Sequence, residues 1–158
     1  MATPLNFEVN LPGLISLSPA NIYLFEKKDP ASSTFPAPGP FAPAQSNMFV
    51  QTDQPLAVTF DWTASGAIFL FLAGTWKCTV YLEMMGGGEY PHPPASATTA
   101  VSTGVISAGY KVDVNIPPIT QEGLYRVVAT ITLQGPGGMM LPVAGFAEIG
   151  LIQVYESL

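Results

Sequence analysis

Residues 121–133, Gln-Glu-Gly-Leu-Tyr-Arg-Val-Val-Ala-Thr-Ile-Thr-Leu, contain the stretch of sequence that decides the fold. Successive side chains of a β-strand point to opposite faces, so apolar residues at every second position predict a strand with one face on a core. Such a face is formed here by Tyr125, Val127, Ala129, Ile131 and Leu133. The flanking Gly123 and Gly135 mark the turns at the two ends.

The same two-residue period recurs along the rest of the chain. The clearest examples are Leu56–Thr63, Thr75–Met84 and Tyr110–Ile116. Further strands are predicted at Phe7–Val9, Ile22–Phe25, Met48–Gln51, Thr98–Ser102 and Phe146–Tyr155. Residues 67–73 are apolar on both faces, which fits either the start of the next strand or an apolar loop. No 3.6-residue stripe persists over ten residues, so the pattern predicts an all-β chain.

Strands separated by turns every 8 to 15 residues are typical of a β-sandwich, in which the alternating residues of two sheets form the core. We therefore expect one group of side chains to be buried between two sheets. The group consists of Val58, Phe60, Trp76, Val80, Val112, Tyr125, Val127 and Ile131.

The segment from Gln121 to Val127 resembles the tyrosine corner of immunoglobulin-like domains. The resemblance makes Tyr125 the corner tyrosine, places Val127 at the second core cysteine position and suggests Trp76 as the core tryptophan. Val58 or Phe60 would then occupy the first cysteine position. The resemblance extends over about residues 47–156 and implies an immunoglobulin-like antiparallel β-sandwich of about seven to nine strands. The absent cysteine pair excludes antibody-type domains, and the resemblance implies a fold without implying a function.

The first 46 residues differ from the rest of the chain. Asp29–Ser46 contains five prolines, and alternate prolines fix φ and remove hydrogen-bond donors. This segment is therefore predicted to be an extended Pro-rich arm, packed on its own or a neighbouring domain through Phe35 and Phe41. We divide the chain into residues 1–46, with N-terminal strands and the arm, and residues 47–158, the sandwich domain.

Charged residues make up only 10% of the chain, against about 25% in a typical soluble domain. Either much of the surface is covered in an oligomer, which we favour, or Ser, Thr, Gln, Pro and Gly form the surface of a monomer. The net charge of −6 and the presence of only five basic residues argue against binding to nucleic acid or to an anionic membrane. No apolar run approaches the ~20 residues that span a bilayer.

Catalytic and metal-binding patterns are not found in the sequence. The only cysteine, Cys78, lies in an alternating strand and is interpreted as a buried apolar residue. The only histidine, His92, lies between prolines, away from any recognisable triad. The acids are scattered singly, with no pair set apart for glycoside hydrolysis and no converging metal ligands. We therefore predict no enzyme activity, no metal and no cofactor.

The remaining candidates are apolar residues in loops. An immunoglobulin-like topology brings residues 67–73 and the loop 135–141 to one end of the sandwich and residues 84–90 to the other. Methionine pairs in loops are common at adaptable interfaces, although they also plug strand ends. The candidate interface residues are Phe35, Phe41, Phe69, Phe71, Met84, Met85, Tyr90, Met139, Met140 and Leu141.

Two functions remain open from the sequence. The favoured one is a non-enzymatic structural or interaction module that self-assembles, as a homo-oligomer, or docks on a protein partner through its apolar loop ends and the Pro-rich arm. The alternative is a ligand-binding sandwich, most plausibly for glycans, that uses exposed Tyr or Trp side chains such as Tyr81, Tyr90 and Tyr155. The N-terminal residues lack the basic and apolar regions of a signal peptide, which favours a cytoplasmic or assembled-particle context without fixing the compartment.

Overall fold

The structure, a computed structural model, describes residues 3–9, 13–18, 20–26, 49–86 and 93–156. These residues form an all-β fold of ten strands. The strands are β1 Thr3–Val9, β2 Ser16–Leu17, β3 Ala20–Glu26, β4 Phe49–Gln51, β5 Leu56–Ser65, β6 Thr75–Met84, β7 Ala95–Ala100, β8 Ser107–Ile116, β9 Gly123–Gln134 and β10 Met140–Tyr155. Two short 3₁₀ turns occur at Ala67–Leu70 and Pro136–Gly138.

The strands form two sheets that pack face to face. In the first sheet β5 is central, with β8 along one side and β3 followed by β2 along the other. The second sheet has the order β7-β6-β9-β10, all antiparallel. The placement of β5 beside β8, and of β6, β9 and β10 as successive neighbours, is the strand arrangement of immunoglobulin-like sandwiches. The fold class predicted from the alternating pattern is confirmed.

Strand β1 joins the two sheets into one curled sheet. Its first residues pair with β3, from Thr3 opposite Ile22 to Leu5 opposite Ala20. Its later residues pair with β10, from Asn6 opposite Phe146 onward. Residues 3–9 and 20–26 therefore contribute strands to the same sheets as residues 49–155. The division drawn at residue 46 is consequently not a division between sheets.

The inward faces of both sheets form a continuous apolar core. All eight side chains expected in the core are buried, and Cys78 is buried with them. The ring of Tyr125 is inaccessible to solvent, and its hydroxyl donates a hydrogen bond to the Gln121 carbonyl oxygen at 2.9 Å. The bond from Tyr125 back to the backbone is the one that the tyrosine-corner resemblance implied.

Of the two alternatives left open for residues 67–73, the structure has the loop, which contains a 3₁₀ turn at Ala67–Leu70. Local structure differs from the sequence-based prediction at other points. The weak edge strand lies at Ala95–Ala100, a few residues before the predicted position. The short β4 runs parallel to the end of β10, so the sandwich is not wholly antiparallel. The Pro-rich arm, Asp29–Ser46, lies outside the described residues.

Candidate functional site

Four chain segments meet at the end of the sandwich where β5 and β9 end and where β6, β8 and β10 begin. We call this end the apolar pole and define it by residues 13–15, 66–74, 101–106 and 135–141. Each segment connects strands, so the sheets fix where it begins and ends. The pole is therefore a surface formed by turns at one end of a rigid scaffold.

Backbone hydrogen bonds hold residues 66–74 and residues 101–106 together. Gly66 donates its N–H to the Ile106 carbonyl oxygen at 2.8 Å, and Gly104 donates to the Phe69 carbonyl oxygen at 2.9 Å. Gly66 has a φ of 147°, and a Cβ there would collide with the backbone carbonyl of Leu14. Glycine is therefore needed at residue 66 for residues 13–15 to approach so closely.

The fourth segment joins the others through the β6–β9–β10 ladder. Gln134 lies opposite Thr75 of β6 on one side and opposite Met140 of β10 on the other. The turn between Gln134 and Met140 is closed by a hydrogen bond from the Gly135 N–H to the Met139 carbonyl oxygen at 2.7 Å. The methionine pair consequently lies two strands away from Thr75, the residue that follows the segment with Phe71.

Large apolar side chains project from the pole into solvent. Phe71 is 85% exposed, Ile106 64%, Met139 62% and Met140 58%. The group of exposed large apolar residues at the pole is completed by Leu14, Leu70 and Val105. Isolated apolar residues are ordinary on a protein surface, but here six on the turns and Met140 at the start of β10 are grouped at one end of the sandwich.

The pole is electrostatically neutral. Its four segments contain no Asp, Glu, Lys, Arg or His. The nearest charged residues along the strands are Glu8, one residue before the end of β1, and Lys77, two residues into β6. A surface without titratable groups has no proton donor or acceptor of catalytic strength, and it interacts through apolar contact and backbone polar groups.

The predicted interface residues at this end have different positions. Phe71, Met139 and Met140 are exposed at the same end of the sandwich, whereas Leu141 is half-buried and packs on Gly135. Phe69 is only 2% exposed and belongs to the core, because its 3₁₀ turn directs it inward, so its interpretation as an interface residue is wrong for the single chain.

Sequence reasoning missed part of the pole. Apart from Leu141, the candidates were methionines and aromatic residues, whereas the pole also exposes four aliphatic residues, Leu14, Leu70, Val105 and Ile106. The sequence does contain a signal for two of them. Val105 and Ile106 directly follow the turn residues Thr103 and Gly104, at positions where polar residues are expected.

The opposite end of the sandwich has a different character. Met84 packs on Gly123 and lies opposite Tyr125 at the strand end, and Met85 is exposed. Charged groups surround them: Arg126 and Glu83 form an ion pair at 2.5 Å, and the backbone N–H of Glu156 donates to the Glu122 carboxylate at 2.6 Å. Phe35, Phe41 and Tyr90 lie outside the described residues.

The chemistry of other candidate groups can be assessed from their surroundings. Burial raises the pKa of the Cys78 thiol from 9.0 to about 12, which keeps it in the unreactive thiol form. Among the described residues, no three His, Cys, Asp or Glu side chains converge on a metal-sized site. Trp62 and Trp76 are both buried and meet edge to face, so neither is an exposed platform for a glycan. Tyr81 and Tyr155, which the glycan alternative named, are exposed, so that alternative stays a prediction.

No family model and no curated protein matches the chain. In the described portion of the chain, no helix has the length and apolarity to cross a membrane. Among solved structures, the chain is similar to the CARDB domain of the PF1109 protein from Pyrococcus furiosus, crystallised in complex with di-metal ions. The similarity covers 90% of each chain at 15% sequence identity, with a TM-score of 0.40.

Proposed function

We propose that the chain is a non-enzymatic structural module that assembles through protein–protein contact at the apolar pole. The observation that carries the proposal is the concentration of exposed apolar side chains on turns that contain no charged residue. Six of these side chains lie on turns outside the sheets, and Met140 is the first residue of β10. All seven are exposed and contribute little to the core, so fold stability does not account for them.

The size of the exposed apolar surface supports contact with a protein. Large apolar side chains each have roughly 150–200 Å² of surface, so the seven exposed fractions correspond to on the order of 700 Å². The largest apolar patch of a typical monomer is about 300–600 Å². One side of a standard protein–protein interface covers about 800 Å². The pole is therefore closer in size to an interface than to an ordinary monomer surface.

The Pro-rich arm, Asp29–Ser46, is proposed as a second contact element. Its proposal rests on the sequence alone: Phe35 and Phe41 lie in a segment whose prolines prevent it from forming a core of its own.

A charge-insertion experiment tests the role of the pole. In the double variant Met139→Lys with Met140→Lys, two cations would have to lose water whenever the pole is covered. We expect the association constant, measured by sedimentation equilibrium, to fall at least tenfold while the melting temperature changes by less than about 2 °C, because exposed residues contribute little to stability.

The matched control introduces the same two charges elsewhere. Phe146 and Leu151 are exposed apolar residues on the outer face of β10, away from the pole. The variant Phe146→Lys with Leu151→Lys should associate as the unmodified chain does. Equal association of the unmodified chain and both double variants would refute a role for the pole.

A further inference from the structure

The charge distribution of the two ends restricts what the apolar pole can contact when the chain assembles. A head-to-tail arrangement would place the pole of one copy on the opposite end of the next. That end carries the Glu83–Arg126 ion pair, in which both side chains are about half exposed, and the Glu122 carboxylate. Covering these groups with an uncharged surface would remove their water and offer no new partner.

The apolar pole meets no such penalty when it contacts another apolar pole. Neither surface carries an ionised side chain, so contact removes apolar area from water without desolvating a charge. Two poles would bury up to about 1,400 Å² in total, within the about 1,200–2,000 Å² that is typical of specific, stable interfaces.

The shape of the pole also permits contact with itself. Phe71 is its most exposed large side chain, and Gly104, Gly137 and Gly138 lie in the same set of turns with open space where a Cβ would stand. Under a two-fold axis both copies use the same residues, so if the Phe71 ring of one copy faces the glycine turns of the other, the second ring does so in the same arrangement.

We infer that the partner of the apolar pole is the apolar pole of a second copy of this chain, related by a two-fold axis, so that assembly at this surface closes at a dimer. The inference rests on the proposed function and specifies its partner. An isologous contact uses the same surface on both copies and leaves no free pole for a third.

The test uses single-cysteine variants of the full chain. Cys78 is buried and its raised pKa keeps it unreactive, so an introduced cysteine reacts alone. Val105→Cys places a thiol at the exposed pole, and Glu122→Cys places one at the opposite end. Each variant is treated with a short bis-maleimide, alone and in an equimolar mixture, and the mass is measured in parallel by sedimentation equilibrium.

Two-fold contact predicts a species of twice the 16.7 kDa chain mass, with Val105→Cys cross-linking to itself and Glu122→Cys not cross-linking. A mass that grows with concentration, together with cross-links only in the mixture, would show head-to-tail assembly. That outcome overturns the two-fold contact and leaves the proposed function standing. A chain that stays monomeric at every concentration overturns both.

A lipid surface is the other occupant that an uncharged apolar pole fits, and vesicles of phosphatidylcholine alone distinguish it. The two-fold dimer should not sediment with these vesicles, since its poles are covered. Binding of the unmodified chain that is lost in the Met139→Lys, Met140→Lys variant would show that lipid occupies the pole, and would overturn both proposals.

Discussion

A substitution at Gly145 tests how β1 crosses from the first sheet to the second. Gly145 lies in β10 opposite Phe7 of β1 and opposite Ile131 of β9. An added Cβ would lie 2.7 Å from Ile131 Cγ2 and 2.9 Å from Phe7 Cδ1, and it would also collide with Leu5 Cδ2. These atoms belong to packed side chains in the core, so Gly145→Ala introduces a methyl group where space is already filled.

The expected cost is that of overpacking, about 1–3 kcal/mol. For a chain of this length, such a loss lowers the melting temperature by roughly 3–10 °C. Gly109→Ala is the matched control, because Gly109 also lies in a strand with ordinary φ, but its nearest neighbour is Thr63 Oγ1 at 4.0 Å. That substitution should raise stability slightly, by about 0.5 kcal/mol, since alanine loses less backbone entropy on folding.

Thermal and urea unfolding of both variants measure these effects, and a third variant identifies the cause. Leu5→Ala alone should cost about 2–5 kcal/mol as a cavity, but together with Gly145→Ala the cost should fall below the sum of the two because the new methyl enters the vacated space. Equal stability of Gly145→Ala and Gly109→Ala, or strict additivity with Leu5→Ala, would refute this account of the β1 crossing.

Four further predictions concern the core, the corner, the thiol and the arm. Val127→Asp should prevent folding, because it would bury an unpaired carboxylate between the sheets. A variant that still melts cooperatively by circular dichroism would contradict the strand register. Tyr125→Phe should cost about 0.5–1.5 kcal/mol in urea unfolding through loss of the hydrogen bond to Gln121, and an unchanged midpoint would count against the corner. Burial raises the pKa of the Cys78 thiol from 9.0 to about 12, so the unfolded chain loses this proton at lower pH than the folded chain. The thiol's contribution to the free energy of unfolding is therefore complete below pH 9 and is lost as the pH rises towards 12. Urea titrations across that range should show the decline, and a flat profile would oppose it. Deletion of residues 29–46 should lower the assembled mass or the melting temperature, and no change in either would make the segment a linker.

The alternating strands could be predicted from the sequence because each has one face in the core and one towards solvent. Leu56–Ser65 and Gly123–Gln134 show this pattern over ten or more residues. Because the alternation depends on whether each side chain faces the core or the solvent, it also identified the core residues. It says little about Ala95–Ala100, where alanine, serine and threonine give no contrast between the two faces.

Long-range pairing could not be predicted in the same way. Nothing local in Thr3–Val9 indicates that its first half pairs with β3 and its second half with β10. The crossing depends on the absence of a side chain at Gly145, about 140 residues later, which has meaning only once the strands are paired.

The candidate site shows the same limit at smaller scale. The sequence could indicate that residues 67–73 and 135–141 share one end, because the order of strands fixes which turns are neighbours. It could not indicate that Phe69 points inward and Phe71 outward, since the two rings are separated by one residue in a run that is apolar throughout. The 3₁₀ turn at Ala67–Leu70 decides this difference.

The position of the few charged residues adds to the argument for contact at the apolar pole. A chain with 10% charged residues has little charge to distribute, and a monomer would gain solubility from placing some of it on every exposed turn. Among the residues that the structure describes, charges lie on the strands and at the opposite end, whereas the turns with Phe71, Ile106 and Met139 have none. The exposed apolar side chains of these turns add little to the core and favour non-specific association. Their concentration at one end is therefore in keeping with the contact that we propose for the apolar pole.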